Sequence, residues 1–179
     1  MAFIVFEGGD GAGKSTQARA LFRQMQRSGY QVILTREPGG TPLGESLRRL
    51  LKNRPGTTSL SELLLFLAAR AQLVQQVIQP ALREHTSVIC DRFTASTVAY
   101  QGYGRGLDLL AIDRLNLLAS SGLSPDLSIL LDLPPESVFD RKAAAQMDTF
   151  DSAPQDFHQR VREGYLAQAS QESSQDPSR

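Results

Sequence analysis

Near the N-terminus, the segment Gly8-Gly9-Asp10-Gly11-Ala12-Gly13-Lys14-Ser15 fits the spacing G-x-x-x-x-G-K-[ST] in full. A short apolar run, Phe3 to Glu7, precedes it. A helical pattern follows, with Ala18, Leu21, Phe22 and Met25 at helix spacing and Gly29 as a stop. Strand, glycine loop and helix in this order form the opening unit of a parallel α/β sheet, which excludes most other folds. Each residue type has a physical task. Glycines let backbone N–H groups turn inward around phosphates. The helix N-terminus adds partial positive charge. Lys14 brings a cation toward β- and γ-phosphates, and Ser15 offers a hydroxyl to Mg²⁺. The stretch from Gly8 to Thr16 therefore predicts a site for ATP or GTP. It does not say what accepts the phosphate.

The rest of the chain continues the alternation. Strands are expected over Gln31–Thr35, Ser87–Asp91 and Leu127–Asp132. Helices are expected over Leu43–Leu51, Ser59–Glu84, Asp108–Ser121 and Asp156–Ala169, with Pro134-Pro135 opening another. Pro80 is expected to kink the end of the long helix, and residues 143–152 read as a loop. The pattern predicts a parallel sheet with helices on both faces. It forms one domain over residues 1–169, followed by a polar, mobile tail over 170–179.

Composition narrows the function. The 19 basic residues cancel the 19 acidic ones, which argues against non-specific nucleic-acid binding. The basic side is skewed, with 16 Arg to 3 Lys. Arginine grips phosphate with a bidentate fork, although codon bias explains the skew equally well. The single cysteine, Cys90, excludes an internal disulfide and a cysteine-built zinc site, and its apolar surroundings predict a buried, inert thiol. No apolar stretch reaches the length of a membrane span, and the N-terminus lacks the features of a signal peptide. A soluble cytoplasmic protein is the expectation.

Four further segments point to the acceptor. Thr35-Arg36-Glu37-Pro38-Gly39-Gly40-Thr41-Pro42 closes the second strand, and Phe66-Leu67-Ala68-Ala69-Arg70 lies on the long helix. Asp91-Arg92-Phe93-Thr94-Ala95-Ser96-Thr97 closes the third strand, and Ala99-Tyr100-Gln101-Gly102-Tyr103-Gly104-Arg105-Gly106 follows. Ligands of a parallel sheet gather at the carboxyl ends of its strands. Asp10, Arg36, Asp91 and Arg92 all fall at or beyond such ends. Phe66 and Arg70 are four apart, hence on one helix face. A ring that stacks on a base and a guanidinium that reaches its carbonyl edge make a plausible base pocket.

With these segments the chain resembles the bacterial thymidylate kinases, a family of P-loop nucleoside monophosphate kinases, from the N-terminus to about residue 170. The resemblance implies a P-loop kinase fold with a lid at about 141–155. The implied reaction transfers the γ-phosphoryl group of ATP to dTMP, with Mg²⁺, in a homodimer. By the same resemblance Phe66 stacks on thymine, Arg70 donates to its O4, and Thr97 and Gln101 line its N3 edge. Arg36, Arg48 and Arg92 match positions near the acceptor's phosphate. Asp10 matches an acid facing the acceptor sugar and Mg²⁺, and Asp91 matches the carboxylate that holds Mg²⁺ through water.

Two departures stand out. The family's lid motif reads Asp-Arg-Phe/Leu-Glu, whereas this chain has Asp148-Thr149-Phe150-Asp151. Ala143, Ala144 and Ala145 lie where further basic residues are common, so Arg141 is the candidate lid cation, with Arg160 and Arg162 as weaker substitutes. The family also continues into a fifth strand and a final helix, while this chain stops at Asp176-Pro177-Ser178-Arg179. Two other readings therefore remain open. One is a nucleotide-binding module with little turnover, and the other is a kinase for a different nucleoside monophosphate.

Overall fold

The computed structural model describes residues 1–53, 56–137 and 154–175. Four strands, β1 (Phe3–Glu7), β2 (Val32–Arg36), β3 (Ser87–Asp91) and β4 (Leu127–Leu130), form one parallel sheet in the order β2-β3-β1-β4. The register sets Phe6 opposite Asp91 and Arg36 opposite Asp91, so the strand ends that carry Glu7, Arg36 and Asp91 share one rim. β4 is an edge strand among the described residues and ends two residues earlier than the apolar pattern suggests.

Alternation along the strands builds two cores. Phe3 and Val5 face one side with Val88 and Cys90, and there they meet Leu73, Val74, Ile78 and Phe93. Phe6 and Ile89 face the other side, where Ala18 of helix α1 (Lys14–Arg27) covers them. Both faces are thus sealed, as the near-continuous apolar strands require. Cys90 is a buried free thiol, and burial pushes its pKa up.

The described helices after α1 include α2 (Pro42–Asn53), α3 (Ser59–Leu73), α4 (Gln79–Arg83), α5 (Thr94–Thr97), α6 (Leu109–Ala119) and α7 (Gln155–Gln175), and of these α5 has no counterpart in the sequence expectation. Thr58 caps α3 by accepting from the Ser61 N–H. The long helix does not simply kink at Pro80. It widens into a π-helical segment, Val74–Ile78, immediately before α4, which has proline in its first turn.

A second π-helical segment, Val98–Gly104, continues α5. The sequence reading has no helix here. Its backbone lies against the Phe157–Val161–Tyr165 stripe of α7. A Cβ at Gly104 would come within 2.6 Å of the Phe157 ring, so only glycine permits this approach. Helix α7 runs to Gln175, past the boundary expected at Ala169, so 170–175 is helix rather than tail. No helix among the described residues is long and apolar enough to cross a membrane.

Candidate active site

The glycine loop lies between β1 and α1. Gly8 has φ 137°, and a Cβ there would stand 2.4 Å from the Leu131 carbonyl oxygen. Gly13, at φ 94°, turns the chain into the helix. Gly9, Asp10, Ala12 and Gly13 are half-buried, while Gly11, Ser15 and Thr16 are exposed. Lys14 folds back into the loop and donates to the Gly9 carbonyl at 2.6 Å. Burial, aided by Arg92 and opposed by Asp10, Asp91 and Glu7, lowers its pKa to about 7. Ser15 donates from Oγ to Asp91 Oδ2 across the end of β3.

Arg92 joins this loop to the rest of the site. Its backbone sits at φ 75°, a conformation costly for a side-chain-bearing residue by about 1–3 kcal/mol. Its guanidinium donates to the Gly8 carbonyl at 3.0 Å, to Asp10 Oδ1 at 2.6 Å and to Tyr100 Oη at 3.1 Å. It also reaches Ser96 Oγ at 3.1 Å and Tyr165 Oη at 3.0 Å. Tyr100 in turn donates to Asp10 Oδ2 at 2.7 Å. Glu7, buried beneath, accepts from the Phe93 N–H at 2.8 Å and from Ser96 Oγ at 2.6 Å. Burial pushes the phenols of Tyr100 and Tyr165 up, so both remain hydrogen-bond donors.

Beside this network lies an open cavity of about 670 Å³, a volume that includes the solvent at its mouth. Asp10, Arg48, Phe66, Arg70, Arg92, Thr97 and Gln101 all line it. Those are seven of the eight residues expected to bind the acceptor. The eighth, Arg36, is not among the lining residues, and its guanidinium pairs with Glu45 at 2.9 Å on an exposed surface. Phe66 is only half-buried, which fits a ring presented to the cavity better than a core residue. Arg48 donates to the Pro38 carbonyl at 3.1 Å, which holds α2 to the cavity wall.

Arg70 is 1% exposed and tightly held. Nε and one terminal nitrogen donate to Glu37 Oε2 at 2.8 and 2.6 Å, and that nitrogen also donates to the Phe93 carbonyl at 2.9 Å. The other terminal nitrogen donates to Asn116 Oδ1 at 2.6 Å. Four of its five N–H bonds are thus taken by described residues, leaving one for a cavity ligand. Burial raises the Glu37 pKa, and Arg70 pulls it back.

Arg160 donates to the Gly104 carbonyl at 3.1 Å, and Arg162 pairs with Asp132 at 2.7 Å, so both are engaged away from the glycine loop. Arg141, Ala143 to Ala145 and Thr149 lie outside the described residues, as does most of the expected lid.

A family profile described as thymidylate kinase matches residues 6–175. The chain belongs to the thymidylate kinase family. The thymidylate kinase of Dehalococcoides mccartyi is 51% identical over 167 residues, covering 92% of this chain and 80% of that protein. The thymidylate kinase of Geotalea daltonii is 49% identical over 180 residues, covering 95% of this chain and 84% of that protein. The crystal structure of thymidylate kinase from Ehrlichia chaffeensis superposes with a TM-score of 0.80 at 41% identity, covering 95% of this chain and 87% of that one. A P-loop kinase fold with a parallel sheet agrees with this membership.

For a thymidylate kinase family member, the sequence reading missed the supports more than the contacts. Glu62, Asn116 and Tyr165 lie outside the quoted motifs, and Glu7, Glu37 and Ser96 lie within quoted segments but are given no role. Each acts on a partner far away in the chain, 158 positions away for Tyr165 and Glu7. A buried acid in an apolar strand, as Glu7 is, was the one local signal available.

Proposed function

We propose that this chain transfers the γ-phosphoryl group of ATP to the 5′-phosphate of dTMP, giving dTDP and ADP. The observation that carries this reading is that one continuous cavity holds both ends of the site. It joins Asp10 and Arg92, beside the glycine loop, to Phe66, Arg70 and Gln101. A nucleoside monophosphate fits with its phosphate at the loop end and its base at the far end. Phe66 would stack on the thymine ring. The free N–H of Arg70 would donate to O4, and Thr97 and Gln101 would meet the N3 edge. Arg48 and Arg92 would hold the acceptor phosphate, with Arg36 able to join only by leaving Glu45.

The acceptor oxygen already belongs to a phosphate anion, so alignment and charge neutralisation carry the reaction. The loop from Gly8 to Thr16 would cradle the ATP phosphates. Lys14 and Arg92 would offset the repulsion between the two anionic groups. The Arg92–Asp10–Tyr100 network holds that guanidinium in one orientation before substrate arrives. Ser15 Oγ and the Asp91 carboxylate are all-oxygen donors side by side, the type that suits Mg²⁺, and they would hold it here. Bound there, the ion would spread the charge of the transferring phosphoryl group. Arg141 is the proposed lid cation.

Homodimerisation is part of the same proposal. Leu64 on α3 and Leu110, Leu117 and Leu118 on α6 are exposed, at 50%, 69%, 65% and 76%, and α3 packs beside α6. A cytoplasmic setting belongs to the same proposal.

The test is steady-state kinetics of Phe66→Ala and Arg70→Ala. Each should raise the dTMP KM by at least about tenfold, as the loss of a good stacking or hydrogen-bonding contact does. The ATP KM should hold. An unchanged dTMP KM in both variants would refute the placement of the base.

A further inference from the structure

Glu62 lies in the first turn of α3 and is 6% exposed. Its Oε1 accepts from Gln101 Nε2 at 2.9 Å and from Arg105 Nε at 3.2 Å, and its Oε2 accepts from an Arg105 terminal nitrogen at 3.0 Å. Gln101 itself is 2% exposed and lines the base cavity. The oxygen and nitrogen of a glutamine amide have nearly the same shape, so the partners decide which one faces a ligand. A carboxylate paired with a guanidinium has no hydrogen to give. It can only accept, and it therefore requires the Nε2 branch of Gln101. The Oε1 branch is left on the other side. No described residue donates to it, yet it is not one of the sealed side-chain oxygens without a partner. It faces the cavity as an acceptor.

We propose that Glu62 is a positioning residue that holds the Gln101 amide with its carbonyl toward the base, so that the site selects bases carrying a hydrogen on N3. This inference rests on the placement of the base edge at Arg70 and Gln101. Arg70 offers a donor and Gln101 an acceptor. Together they complement the carbonyl and N3–H of thymine. Cytosine presents the reverse pattern. Without Glu62 the amide is free to turn and present its NH₂, and the acceptor half of the pattern is lost.

The test compares dTMP with the 5′-monophosphate of 5-methyl-2′-deoxyisocytidine. That analogue keeps the 4-carbonyl for Arg70 but carries a lone pair on N3. Wild type, Glu62→Gln, Gln101→Ala and the double variant are measured for kcat, KM and melting temperature. Wild type should prefer dTMP by at least about tenfold, since a site built around a hydrogen bond rejects the analogue lacking it. Glutamine at position 62 can donate as well as accept. The preference should then fall by about tenfold, through KM, with kcat for dTMP little changed. In the Gln101→Ala background, Glu62→Gln should leave the ratio unaltered, because the effect passes through Gln101.

A proportional loss for both substrates in Glu62→Gln would mean a structural brace only and overturn the proposal. So would the same shift in ratio when Gln101 is absent. If Glu62→Gln does not fold, Glu62→Asp takes its place, since its carboxylate is one methylene shorter and draws back from Gln101 Nε2. A narrowed preference for dTMP that vanishes in the Gln101→Ala background supports the proposal, and an unaltered preference, or no wild-type preference, overturns it. An unchanged dTMP KM in Gln101→Ala would instead refute the underlying placement of the base edge.

Discussion

Replacing Glu37 with alanine should strip the acceptor from the most deeply buried guanidinium in the described chain. Arg70 is 1% exposed and Glu37 5%, and they pair at 2.6 Å. Removing one partner of a buried pair costs about 3–5 kcal/mol, because the remaining charge is left uncompensated. Arg70 keeps its bonds to Asn116 and the Phe93 carbonyl, and the cavity admits water, so the lower end, about 3 kcal/mol, applies. For a domain of this size each kcal/mol shifts the melting temperature by about 2–4 °C, which gives a drop of about 6–12 °C. Glu37→Gln should lose less. Its amide oxygen can take the place of Oε2, and its NH₂ the place of Oε1, which has no partner now. Glu37→Ala/Arg70→Met should melt above the sum of the single losses, with a coupling of about 1–3 kcal/mol. Calorimetry and urea titrations at one pH supply all four values. A Glu37→Ala melt within a degree or two of wild type, or strict additivity in the double variant, would refute the account of how Arg70 is held.

Two other perturbations probe the glycine loop. With Lys14 at about 7 in the folded chain and 10.5 as its ordinary value, the unfolded chain binds the extra proton between those limits, so stability should rise with pH across that window. Lys14→Met should flatten the rise, and identical urea profiles against pH for the two proteins would contradict it. Gly8→Ala should lower the melting temperature by at least about 5 °C, from strain at positive φ and the clash with the Leu131 carbonyl. A wild-type melt with intact turnover would contradict the close approach.

Much of the fold was legible because its signals are local. β1 to β3 are short apolar runs ended by glycine or charge, and the glycine loop identifies the first strand–helix unit by spacing alone. The segment from Thr94 to Gly104 was not legible. Its Tyr-Gln-Gly-Tyr-Gly composition resembles a loop, and only packing against α7 makes it helical. Gly104 serves close approach to Phe157, and Gly102 close approach to Leu109, rather than a turn. The π-helical widening before Pro80 was hidden for a similar reason, since a proline marks a disturbance without saying which form it takes. In the site, the placement of Phe66 and Arg70 on the cavity wall followed from helix spacing and the family pattern. Their supports did not, because Glu37 and Asn116 lie 33 and 46 positions from Arg70 and meet it only in three dimensions. Arg36 shows the converse, a residue in the right motif whose side chain pairs elsewhere.

The most direct test of the central claim is a coupled ADP-release assay with ATP and Mg²⁺. It offers dTMP, dUMP, AMP, dCMP and dGMP separately, with Lys14→Ala as control. The account predicts turnover with dTMP, weaker turnover with dUMP, little with the others, and loss in the control. Turnover of AMP or dGMP at the dTMP rate, or no turnover and no binding of dTMP, would contradict it.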